Sequence, residues 1–268
     1  EIDLVFEALE SLPLVKRDPN EPSKDSVRWE LQQLFDVLYR NGISQVERIV
    51  RLELLYHQVF DGNEVRKFQP KGLLVAISDS PSLFVDLLSY PWKDDNHEST
   101  LPNDQHTRVL ANRVGGLLHQ LTELPAESDL APMNGKSIAE WVAEVVRIAS
   151  ARRYLTAVGL QLPKIIASGA WNAIETWPTT EMAEAINVLA DAVPETFPRQ
   201  LAISLSNSRG MYCVDPTGES EKEQAKALRN RADELQQICP AASRALRHVS
   251  QSLDSQATRN VEEAQWRQ

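Results

Sequence analysis

Residues 25–60, DSVRWELQQLFDVLYRNGISQVERIVRLELLYHQVF, decide the fold class. Counted from Asp25, the side chains of Val27, Leu31, Leu34, Phe35 and Leu38 fall at i, i+4, i+7, i+8 and i+11, the apolar stripe of one helix face. Asn41-Gly42 then supplies a C-terminal stop. Ser44 and Glu47 read as a capping box in front of a second helical run, VERIVRLELLYHQVF. Two helices joined so closely lie antiparallel, so the element predicted here is a helical hairpin.

The same grammar continues in both directions. Pro70 opens PKGLLVAIS, Ser80-Pro81 caps and opens SLFVDLLSY, and Pro91 ends it. Residues 91–103, PWKDDNHESTLPN, read as a polar loop. Leu110, Val114, Leu117, Leu118 and Leu121 share a face of the next helix, with Gly115-Gly116 read as a close packing contact. Ser137 and Glu140 form a second capping box before Ile138, Trp141, Val142, Val145 and Ala149. Pro163 kinks the following helix or opens a new one. Met182, Ile186 and Leu189 mark a helix over 180–191, and Pro194 is read as opening another. Ser220 and Glu223 form a third capping box before a helix carrying Ala225, Leu228, Ala232 and Leu235. Pro240 breaks that helix; Ala242, Leu246, Val249 and Leu253 carry the next, and QATRNVEEAQWRQ reads as its frayed end.

About a dozen helices and no alternating strand result. Glycine, at 10 of 268 residues, is scarce against a usual level of about 7%, and a helical chain has little use for it. The expected fold is all-α, an irregular array of helical hairpins, solenoid-like or bundle-like. The three capping boxes lie 93 and 83 residues apart, too far for a regular helical repeat.

The stretch LPAESDLAPMNGK (124–136), with two Pro, one Gly and no periodicity, is the candidate boundary. Charge changes across it: residues 1–130 hold 13 basic and 22 acidic side chains, residues 131–268 hold 15 and 16. The expected division is an acidic helical subregion over 1–125 and a second over 137–268, or one continuous helical domain.

With 42% hydrophobic and 25% charged residues the chain is ordinary for a globular protein. No apolar run approaches the roughly 18 residues of a membrane span, so no membrane partner is expected. Two Cys make no disulfide framework, which suits a reducing, cytoplasmic setting. The opening EIDLVFEALESLP has no basic-then-apolar leader and no initiator Met, which reads as a region of a longer protein.

Phosphate-binding glycine loops, HExxH, CxxC and GxSxG are absent from the sequence, so no cofactor, metal or catalytic residue is assigned. Two constellations keep an enzyme reading open. Glu53 and His57 stand at i, i+4 on one helix face, where the pair could hold a metal or tune a base. His97 and His106 flank Asp94, Asp95, Glu98 and Asp104, a carboxylate–imidazole set that could bind a cation. Surface bonding and a solvated acidic loop are the plainer readings. Arg229, Arg231, Arg244 and Arg247 share their helices with Glu221, Glu223, Asp233 and Glu234, so surface ion pairs are expected there. With a net charge of −10, this argues against nucleic acid as a partner.

The most unusual segment is SLSNSRGMYCVDPTGES (204–220). A connection this long exceeds the usual 4–6 residues or so and is more often functional. Asn207, Arg209, Tyr212 and Asp215 can hydrogen-bond a protein partner, with Trp171 and Trp177 as aromatic anchors; the competing reading is a crossover in which Arg209 caps helix carbonyls.

The order helix, SNSRG, a Gly-Glu step, a charged helix ending at Cys239-Pro240 and a second helix through ALRHVSQSL resembles the C-terminal helical region of large, multidomain bacterial proteins that lack an assigned activity. PKGLLVAISDSPSLFVDLLSYPW is similar to their upstream pattern. The resemblance covers residues 45–90 and 150–255 and is most specific at Asn207, Arg209 and Gly210. It implies a sensor or scaffold region that binds a protein partner or other domains of its own chain, and it carries over no catalytic residue.

Overall fold

The computed structural model describes residues 2–11, 24–60, 68–98, 101–125, 136–210 and 214–266. Among them are twelve α-helices, two short 3-10 turns and no strand, so the fold is all-α. No helix among the described residues is long and apolar enough to cross a membrane. The chain divides into two compact units: residues 1–93 with 99–135, and residues 94–98 with 136–268. Most of the 124–136 stretch lies outside the described residues.

The first unit holds α1 (Ile2–Ser11), α2 (Lys24–Asn41), α3 (Val46–Phe60), α4 (Lys71–Asp79), α5 (Pro81–Leu88) and α6 (Gln105–Gln120). Of the α2 stripe, Leu31, Phe35 and Leu38 are buried as the spacing predicts, while Leu34 is half-buried and Val27, at the first turn, is exposed. Phe35 is the hub, its ring centroid 5.8 Å from Tyr39, 6.3 Å from Tyr56, 5.8 Å from Phe60 and 5.4 Å from Phe68. Most of these pairs meet edge-on, the arrangement the ring quadrupole favours, and Phe60 stacks on Phe68 at 4.1 Å. Helix α1 is fastened to α3 by the Tyr56 hydroxyl, which donates to the Leu9 carbonyl at 2.6 Å.

The second unit holds α7 (Ile138–Arg152), α8 (Leu155–Ile166), α9 (Thr180–Ala192), α10 (Phe197–Ser208), α11 (Glu219–Leu235) and α12 (Pro240–Trp266). Helices α11 and α12 form an antiparallel hairpin along a seam of small residues, including Ala225, Ala232, Ala242 and Ala245. The approach is close enough for the Ser243 hydroxyl to reach the Ala232 carbonyl at 2.7 Å. Helix α12 also packs on α9 and α10, α7 on α9, and α8 on α10. Contacts therefore join helices two apart in the chain as well as sequence neighbours, as packed helical hairpins do.

Several local expectations are revised. Of the three capping boxes only Ser137–Glu140 forms, with Ser137 N–H donating to Glu140 Oε2 at 2.7 Å and Glu140 N–H to Ser137 Oγ at 3.1 Å. Ser44 lies inside a 3-10 turn, and α11 starts at Glu219 after Gly218, so Ser220 is not its cap. Pro163 sits inside α8, and α10 opens at Phe197-Pro198 where Pro194 was expected to open it. The expected frayed end is the last part of the 27-residue helix α12, which buries Ala257 and Asn260.

Candidate functional site

The candidate site of the second unit forms where α10 ends. Arg209 follows α10 directly, and its side chain, 8% exposed, lies 3.7 Å from the carboxylate of Glu221 in the first turn of α11. Its Nη1 donates to Gln256 Oε1 of α12 at 3.2 Å, and its guanidinium lies over the Trp171 ring at 5.7 Å. One side chain thus joins three helices and the turn carrying Trp171. Glu221 is fully buried, and neither of its oxygens accepts a hydrogen bond among the described residues. Its countercharge is Arg209, and a buried carboxylate without donors depends on such a partner.

Residues 214–218 are built to start α11. Asp215 accepts from the N–H and hydroxyl of Thr217 at 2.9 and 2.7 Å and from Ser220 N–H at 3.0 Å. The Ser220 bond, followed by those of Thr217, holds its carboxyl below the usual range. Gly218, at φ +69°, passes so close to α12 that a Cβ there would stand 2.7 Å from the Ala257 carbonyl oxygen. Only glycine meets both demands.

The structure thus brings Arg209 and Trp171 together. Trp177 is buried, its indole N–H donating to the Ile166 carbonyl at 3.2 Å. Arg231 of α11 reaches the same turn, with Nε on the Trp177 carbonyl at 2.9 Å and Nη2 on the carbonyls of Thr176 and Pro178 at 3.1 and 3.2 Å. Asn207 is exposed. Tyr212 and Cys213 lie outside the described residues. Asn207 and Ile203 on α10 are exposed, Ile203 at 40%, Val214 in the loop is 58% exposed, and Trp171 is half-buried.

The enzyme constellations are placed as follows. Glu53 is fully buried, and both oxygens are occupied. Oε1 accepts from the Tyr39 hydroxyl at 2.9 Å and from Gly72 N–H at 2.7 Å; Oε2 accepts from Leu73 N–H at 2.8 Å. The carboxylate of α3 therefore serves as the N-terminal cap of α4, a helix whose own cap residue, Pro70, offers no acceptor side chain. Burial pushes Glu53 up to about 7, against the opposing pull of the Gly72, Tyr39 and Leu73 bonds. Gly72 is needed for this docking, since a Cβ there would lie 2.5 Å from Ile49 Cγ2. His57 is buried against α6, where a Cβ on Gly116 would stand 2.6 Å from the imidazole Cδ2. The Gly115-Gly116 pair is thus in part a seat for His57. A substrate would have to displace the start of α4 to touch Glu53.

His97 belongs to the second unit and His106 to the first. Asp94 is buried at 3% exposure; its Oδ1 accepts from the N–H groups of Asn96 and Glu98 at 3.0 and 2.8 Å, and its Oδ2 lies 3.4 Å from Arg153. Asp95 caps α8, accepting from Leu155 and Thr156 N–H at 3.1 and 3.0 Å. Asp104 caps α6 through Thr107 N–H at 2.7 Å. Among the described residues no three His, Cys, Asp or Glu side chains gather as metal ligands would. Cys239 is buried, and burial raises its thiol further above the range of a reactive thiolate. Of the C-terminal arginines, Arg229 pairs with Asp254, Arg231 with Glu234 and Arg247 with Asp233.

Of the two groups that answer Arg209, the sequence offers no sign of Gln256, and Glu221, expected in a surface ion pair, is buried instead. Glu221 stands in the run ESEKE, whose composition signals a solvated face. In comparisons with protein-family models, curated proteins and solved structures, nothing matches the chain.

Proposed function

We propose that this chain is a non-catalytic helical interaction region, a scaffold or sensor that binds a protein partner through the end of α10 and the loop that follows. The observation that supports it most is the fixing of Arg209 between Glu221, Gln256 and Trp171. It makes a rigid base out of three helices, while Ile203 and Asn207 on α10 and Val214 in the loop are open to solvent. Rigid placement lowers the ordering cost of binding, and a half-buried Trp with aliphatic neighbours is a common anchor type. The chemistry-bearing side chains Glu53, Asp95 and Asp215 are spent on helix starts, which supports structure over turnover. The resemblance of the SNSRG segment to large multidomain bacterial proteins supports a place in a larger cytoplasmic assembly.

The test is photo-crosslinking in host cells from p-benzoylphenylalanine placed at Ile203 or Val214 in the natural full-length chain. The expected result is one discrete adduct from both positions, and none from Glu144 on α7, whose side chain is 42% exposed. No adduct from either position, or the same adducts from Glu144, rejects the proposal.

A further inference from the structure

In the first unit, the segment following α5 and the start of α6 enclose an open cleft of about 340 Å³. Tyr90, Trp92 and Leu101 give it ring and aliphatic walls, and Lys93 and Arg108 bring two positive charges to its edge. Its size is at the lower end of small-molecule sites, which run from about 300 to 1,000 Å³. Arg108 Nε donates to Asn103 Oδ1 at 3.0 Å, which orients the guanidinium. Its two Nη groups have no partner among the described residues, and Lys93 makes no ion pair there. The neighbouring acid, Asp104, is committed to Thr107 N–H.

We propose that this cleft binds a small aromatic monocarboxylate. The planar body lies against Tyr90 and Trp92, and the carboxylate takes the paired Nη groups of Arg108 with Lys93 beside it. A planar fork held at Nε matches a carboxylate in geometry, which a lone ammonium does not. The chain's net charge of −10 opposes polyanions at long range. A single negative charge on an apolar body meets the least of that opposition and still gains the short-range pair. This proposal is independent of the α10 surface, which belongs to the other unit.

The probe is 2-naphthoate, titrated into the intact protein and followed by isothermal calorimetry and tryptophan fluorescence. A ligand of its size is expected to bind one site with Kd on the order of 1 mM. The neutral 2-naphthamide is expected to bind at least roughly tenfold more weakly, the loss of one good charge-assisted contact. Arg108→Gln and Trp92→Ala are each expected to weaken 2-naphthoate by a similar factor with Tm unchanged for the exposed Arg108→Gln, and Arg108→Lys to recover only part. Absence of saturable binding overturns the proposal. Binding indifferent to both Arg108→Gln and Trp92→Ala, or equal binding of the amide, overturns it as well.

Discussion

The carboxylate of Glu53 accepts the N–H of Gly72, 19 residues further on, at 2.7 Å, so a side chain in the middle of α3 starts the helix α4. The bond lies at full burial, and this sets up a measurable conflict between solvation and bonding.

Glu53 titrates at about 7 in the folded protein, against an ordinary carboxylate value of 4.5. The folded state therefore holds this proton more tightly than the unfolded chain. The sign follows: the favourable contribution is complete below about 4.5, declines as pH rises through the window, and is gone above about 7. At ~1.4 kcal/mol per unit, the loss is on the order of 3 kcal/mol. Chemical denaturation of the protein and of Glu53→Gln at several pH values checks it. The difference between the two should change across this window; parallel curves would remove Glu53 as the cause.

Arg209→Met should destabilise the second unit by about 3–5 kcal/mol, because it leaves the buried Glu221 charge without its counterion. The double change Arg209→Met with Glu221→Gln should restore part of that loss. Urea midpoints of the two single and one double variants measure the coupling. Additive losses would mean that the 3.7 Å pair contributes nothing as a pair.

Arg231 supports three successive carbonyls, those of Thr176, Trp177 and Pro178. A lysine at that position has one ammonium on a flexible stem and cannot span them. Arg231→Lys should therefore lose most of what Arg231→Ala loses, about 1–3 kcal/mol, despite keeping the charge. Full retention of Tm in the lysine variant would show that charge alone holds the turn.

Legibility in the sequence follows the range of the bond. Ser137 and Glu140 answer each other within one turn, so their letters suffice. Ser220 and Glu223 have the same spelling, but Asp215 takes the Ser220 N–H first and the helix begins a residue earlier. Glu53 reads as a surface position because Tyr39 and Gly72 lie in other helices. Asp94, in a run that spells a solvated acidic loop, is buried by Arg153 and its own turn. The all-α class was readable because apolar spacing and scarce glycine act along the whole chain. The setting of Arg209 was not, because Glu221, Gln256 and Trp171 come together only on folding.

Residues 94–98 are a loan from the first half of the chain to the second unit, and Asp95 caps α8 from there. A genetic crossover or a protease cut within 126–135 would look clean on a linear map. It would nonetheless strand Asp94 and Asp95 on the wrong fragment and send α8 away without its cap. The two units are therefore fit to be inherited together, and a shorter gene product starting at 136 would have to bring its own substitute for those five residues.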